Sequence, residues 1–235
     1  FRGFEARYGR FDIKSREDSG KVVGQAKTIY EYVEPENYAS HVAGDYGIGV
    51  IPLTEDNTIH FSAIDVDAYD VDVFDLAMRV TDLPVIVTNS KSGGAHIWLF
   101  SSAGVEASAA VAFLKNLAGK LGYGGHEIFP KQVARASDED VGNWINLPYM
   151  GGTRTAVMIE LVDERLERLD AKIGDFLAVA EQNADLVTTD WLETFNSGLK
   201  TQRADADLTE DWYDGPPCLQ RLFVGDKVVA AKADK

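Results

Sequence analysis

The stretch TIHFSAIDVD at residues 58–67 opens the run whose reading decides the fold. Its β-branched and aromatic residues follow the polar turn at 54–57 and predict a strand. VDVFDLAMRVT at 71–81 carries apolar residues at helical spacing and stops short of Pro84, so it predicts a helix. LPVIVT at 83–88 and AHIWLF at 95–100 predict a strand hairpin around the polar, glycine-bearing stretch 89–94. EASAAVAFLKNLAGKL at 106–121 predicts a second helix, closed by Gly122, Gly124 and Gly125. Short strands are expected at 127–130 and 144–149.

From Thr58 the expected order is therefore strand, helix, strand, strand, helix, strand. Outward from it, GIGVIPL at 47–53 and residues 156–161 predict two more strands. Acidic amphipathic stretches at 163–183 and 189–195 predict helices, and Pro216–Pro217 predicts a break before a short tail. Residues 1–27 hold seven cations (Arg2, Arg7, Arg10, Lys14, Arg16, Lys21 and Lys27) and four acids. That composition predicts a solvated, loosely ordered arm, with a nucleic-acid contact as the alternative. The expected class is α+β: an RNA-recognition-like (ferredoxin-like βαββαβ) core with an N-terminal α/β extension and a C-terminal helical appendage. The expected division is a core over residues 1–160 and a helical segment over 161–235 that leads into a further domain.

The chain has 235 residues, of which 45% are apolar and 26% charged, an ordinary globular composition. No run of about 18 apolar residues exists, which excludes a helical membrane span. One cysteine, Cys218, excludes an internal disulfide framework and a cysteine-rich zinc module. The absence of a basic and apolar leader, with Phe1 at the start, predicts a cytosolic protein or an excised fragment. The net charge of −15 argues against a polyanionic partner only if it is spread evenly. It is not: residues 86–155 carry six basic and five acidic residues, while the flanking sections hold the acidic excess.

Asp65 and Asp67 sit two apart on the expected strand, so Ile64 and Val66 enter the core while both carboxylates project from the other face. Paired hard oxygen ligands on a rigid face suit Mg²⁺ or Mn²⁺. The same residues also read as an exposed acidic strand end continued by Asp70 and Asp72. In Ser90-Lys91-Ser92-Gly93-Gly94-Ala95-His96 the glycines permit close backbone approach, the hydroxyls donate hydrogen bonds, and Lys91 offers a charge to phosphate. A Walker A loop is excluded by residue order. The other reading is a flexible turn beside a half-buried His96. HEIFPKQ at 126–132 adds Glu127 on a short strand, with Lys131 and Gln132 beyond it. GNWINLPY at 142–149, ending in Gly151-Gly152-Thr153-Arg154, adds Asn143 and an arginine-bearing turn. Each of these also reads as a cap, a turn or a buried asparagine met by backbone.

Taken together, AIDVD (63–67), SKSGGAHIWLF (90–100), EIFPKQ (127–132) and GNWINLPY (142–149) resemble the archaeo-eukaryotic primase superfamily, in particular the primase-polymerase domains of phage and plasmid replication proteins. His41 and the strand after it agree with the same group, and GPPCLQ at 215–220 resembles the segment that leads out of the polymerase core. The resemblance implies that Asp65, Asp67 and Glu127 hold two Mg²⁺ or Mn²⁺ ions. It implies that His96 contacts the incoming nucleotide, with Ser90, Lys91 and Ser92 near the triphosphate. Lys131, Gln132, Asn143 and Arg154 become further phosphate or sugar contacts. The implied activity is DNA-templated nucleotidyl transfer on single-stranded DNA from NTP or dNTP, in the cytoplasm, with a helicase domain attached in the full-length protein. Three departures stand out: Gly94-Ala95-His96 replaces a common Ser-x-His, the third acid is glutamate, and no zinc knuckle is present. Two rival readings are a non-catalytic nucleic-acid-binding module and a D-x-D sugar-nucleotide transferase. The intact acids and His96 speak against the first, and the lysine-histidine hairpin is unexplained by the second.

Overall fold

The computed structural model describes residues 1–16, 22–68, 70–91, 93–137 and 139–204. Ser92, the break at Pro216–Pro217, Cys218 and the 215–220 segment lie outside the described residues. The chain is α+β. It opens with strands β1 (Phe4–Arg16) and β2 (Val22–Ile29), helix α1 (Pro35–Ala43) and strand β3 (Tyr46–Ile51). Then come β4 (Thr58–Val66), α2 (Val73–Arg79), β5 (Val85–Asn89), β6 (Ala95–Glu106), α3 (Ala107–Leu121) and β7 (Glu127–Phe129). These last six follow the order read from the sequence. The remainder is β8 (Ile145–Asn146), β9 (Ala156–Val162), β10 (Arg165–Asp170), α4 (Ile173–Leu186) and α5 (Thr189–Ala204). No described helix is long and apolar enough to cross a membrane.

Two antiparallel sheets form, one in the order β2-β1-β3-β8 and one in the order β10-β9-β5-β6-β4-β7. Strands β4, β5 and β6 of the larger sheet are buried on both faces, which their alternating residues make possible, while β10 at its edge is exposed. Ile64, Val66, Ile97 and Leu99 point to α2 and α3 and share a core with Leu76, Phe113 and Leu117. Phe61, Ala63, Trp98, Phe100 and Phe129 point the other way and meet Tyr8, Ile48 and Val50 of the smaller sheet together with Phe176 of α4. Helix α5 packs behind α3, where Phe195 meets Phe113 edge-on at 4.6 Å.

Two expectations are corrected. Residues 1–27 are not a loose arm, because β1 pairs with both β2 and β3. The charges that read as a solvated run neutralise one another across the ribbon. Asp12 lies 2.6 Å from Arg10 Nε and 2.7 Å from Lys27 Nζ. The helix expected from residue 163 begins ten residues later. Asp163 and Glu164 adopt positive φ (46° and 65°), the geometry of a two-residue hairpin turn, and β10 folds back on β9. The leucines at helical spacing there are exposed and Leu166 faces Leu161, so pairing to the sheet edge overrides periodicity.

His41 ties α1 to the core. Its Nδ1 accepts the Ile48 N–H at 3.0 Å, so Nε2 carries the proton and donates to Pro148 O at 2.8 Å. Burial holds its pKa below the ordinary 6.5, with the nearby Arg154 charge acting in the same direction against the Pro148 bond. The unfolded chain takes up this proton near pH 6.5 while the folded chain resists it, so His41 makes stability decline as pH falls below that value. His41→Ala is expected to cost about 1–3 kcal/mol at pH 7.5 by leaving buried polar groups unmet. It should also flatten the loss of stability between pH 7 and 5, both measured by urea unfolding.

Candidate active site

Strand register builds the site. Asp65 pairs with His96 on β6 and with Glu127 on β7, and His96 pairs in turn with Thr88 on β5. Residues opposite one another across an antiparallel pair share a face, so Thr88, His96, Asp65 and Glu127 form one row across four strands. The row lies at the end of the sheet where β4 and β5 finish and β6, β7 and β9 begin. Its face is that of Trp98, Ala63 and Phe129, opposite to α2 and α3.

His96 is buried, and its Nε2 stands 3.2 Å from Asp65 Oδ1, whose side chain is 28% exposed. The imidazole is held edge-on by Trp98 at 5.2 Å, and the Trp98 Nε1–H donates to the buried Thr88 hydroxyl at 2.9 Å. Glu127 is turned toward Lys131, with Nζ and Oε1 2.6 Å apart. Asp67 is exposed just past the end of β4. Asp65 and Glu127 thus lie in register on one face of the sheet, with Asp67 two residues along. Carboxylates are the hard-oxygen ligands a divalent ion takes, but among the described residues no three such groups are gathered closely enough to hold one.

The hairpin between β5 and β6 folds tightly onto this end. Ser90 N–H donates to Gly94 O at 2.9 Å, and a Cβ on Gly94 would stand 2.1 Å from Val66 O. Lys91 reaches across to the smaller sheet, with Nζ 3.7 Å from the Phe11 ring. Arg154, at φ 57°, sits in the turn before β9. That turn is tied to the end of β5 because the Asn89 backbone N–H and Nδ2 both donate to Thr155 O, at 3.0 and 3.1 Å. Gln132 and Asn143 lie outside the row. Gln132 packs against Gly142, and Asn143 is exposed in the approach to β8.

A family model for the archaeo-eukaryotic primase domain of the TOTE conflict system matches residues 10–187. The chain belongs to the archaeo-eukaryotic primase family. No curated protein matches it. The matched region of this primase domain runs from within β1 to the end of α4, and so takes in both sheets.

Three residues at this end of the sheet escape a reading of the sequence. Thr88 looks like an ordinary strand residue, yet it anchors Trp98 behind His96. Asn89 joins two loops, and its only signal is an amide at a strand end. Arg168 reaches Asn89 Oδ1 at 3.3 Å from β10, a stretch that reads as helix. Among the aromatics near the site, Trp98 is fully buried and Tyr149 is buried, its hydroxyl donating to Ala171 O at 3.0 Å. Both are packing residues.

Gly94→Ala forces its methyl against a backbone oxygen and should destabilise the fold by about 1–3 kcal/mol in urea unfolding. Gly125→Ala, with open space around it and no positive φ, should stay within about 0.5 kcal/mol of the wild type.

Proposed function

We propose that this chain is a primase-polymerase: a nucleotidyltransferase that initiates or extends primers on single-stranded DNA from nucleoside triphosphates. The observation that carries the reading is Asp65 standing in register between His96 and Glu127 at the open end of the sheet. We take the six elements from β4 to β7 as the RNA-recognition-like core, because the strands stand in the order β5-β6-β4-β7 with both helices on one face. Residues 1–160 would carry the catalysis and residues 161–235 the helical appendage.

In the proposed reaction the oxygen of a 3′-hydroxyl attacks the α-phosphorus of the bound triphosphate. The bond from that phosphorus to the β-phosphate oxygen breaks, pyrophosphate leaves, and the hydroxyl proton passes to solvent. Asp65, Asp67 and Glu127 would hold Mg²⁺ or Mn²⁺, which when bound lowers the pKa of the attacking hydroxyl and offsets charge on the leaving group. His96, held between Asp65 and Trp98, is assigned to a phosphate oxygen of the incoming nucleotide. Ser90, Ser92, Lys91 and Arg154 are assigned to the triphosphate, and Lys131, once released from Glu127, to the same charge. Gln132 and Asn143 are assigned to the border of the site. Most of the acceleration would come from positioning and electrostatics, with no covalent enzyme intermediate.

The test is incorporation of labelled NTPs or dNTPs on a single-stranded template with Mg²⁺ or Mn²⁺, with and without a primer. Template-dependent product is expected, and Asp65→Ala with Asp67→Ala should lower it by about a thousandfold or more. A folded chain that yields no product under any of these conditions would sink the polymerase reading, and product that survives the double substitution would overturn the site assignment. His96→Ala is expected to lower incorporation about a hundredfold, measured as the single-turnover rate at saturating nucleotide.

A further inference from the structure

Although the chain carries −15 overall, residues 1–32 hold seven cations against five acids. Two of these cations lie against tyrosine rings. Tyr30 is 72% and Tyr32 65% exposed, and the Arg7 guanidinium lies 5.0 Å from the centre of the Tyr30 ring. The Arg10 guanidinium lies 3.8 Å from the Tyr46 ring. The segment bearing the two tyrosines is pinned at both ends, since Ile29 pairs with Tyr8 and Val33 N–H donates to Glu5 O at 3.2 Å. Asp12 is already engaged by Lys27 and Arg10, whose hydrogen bonds hold its carboxyl below the ordinary carboxylate range.

The ribbon is also physically joined to the loops of the active site. Lys91 of the hairpin covers Phe11, and Arg7 Nη1 donates to Glu139 O at 3.1 Å. The Trp144 ring lies so close over Gly9 and Gly49 that a Cβ at either would come within 2.4 Å of it. Two exposed tyrosines alone are ordinary surface. Tyrosines held rigid beside arginines, on a net-positive part of an acidic chain and continuous with the site, match a polyanion whose bases offer flat faces. Stacking on a ring is independent of base identity, and a duplex hides those faces.

We propose that the outer part of the β1–β2 ribbon, with Arg7, Tyr30 and Tyr32, binds the single-stranded DNA template and leads it past Lys91 to the acid–histidine row. The word template rests on the primase-polymerase reading; the binding itself does not.

Fluorescence anisotropy of a labelled oligo(dT) tests it across a range of salt concentrations. Tyr30→Ala with Tyr32→Ala should weaken binding about tenfold or more, with thermal unfolding unchanged because both side chains are exposed. Arg7→Ala should make the slope of log K against log salt shallower by roughly one, for the phosphate that is no longer neutralised. Binding that depends on the ribbon in a chain without incorporation would keep the surface while the polymerase reading falls. Wild-type affinity in both ribbon variants would overturn the surface, as would equal affinity for duplex DNA or tighter binding of oligo(rU).

Discussion

The register of β4 between β6 and β7 is the constraint on which the site depends. Ile64 and Val66 are fully buried on one face of this strand, and Ala63 and Phe61 on the other. A slip of one residue would turn the Asp65 carboxylate into the helix-backed core and bring Ile64 to the row. Burying an unpaired carboxylate is costly enough that such a slip is strongly disfavoured. The same packing that fills the core therefore sets Asp65 opposite His96 and Glu127, and the chemistry needs no separate scaffold.

The two cores divide the labour around that strand. Helices α2, α3 and α5 close one face of the large sheet, and the smaller sheet with α4 closes most of the other. What stays accessible is the end where five strands begin or finish. Polar groups there are met by neighbours: Trp98 by Thr88, Asn89 by Thr155, His96 by Asp65. Glu127 is met by Lys131, which leaves the exposed Asp67 carboxylate as a group whose environment an ion or a nucleotide would change.

The strand, helix, strand, strand, helix, strand order from β4 to β7, and the strands that carry Asp65, His96 and Glu127, were legible because their signals are local: period-two alternation in 58–67 and 95–100, helical spacing in 106–121, and polar loops between. The N-terminal ribbon was not legible, because its stability comes from pairing with β3, some 35 residues away in sequence, and its charges mimic a solvated arm. Strand β10 was hidden for a similar reason, its leucines fitting a helix until the turn at Asp163–Glu164 returns the chain to β9. Glu127 could be placed on its strand from sequence, but its pairing with Lys131 depends on side-chain geometry that no pattern encodes.

Acidity, concentrated away from residues 1–32 and 86–155, limits how strongly the chain can hold a polyanion while leaving those two sections to do so. The central proposal is that Asp65, Asp67 and Glu127 at this end of the sheet take up a divalent ion. Electron paramagnetic resonance of Mn²⁺ tests this most directly, since the free-ion signal falls as the protein takes up the metal. The account predicts uptake by the wild type and affinity lower by roughly tenfold or more in Asp65→Asn with Glu127→Gln. Uptake by that variant equal to the wild type would contradict it.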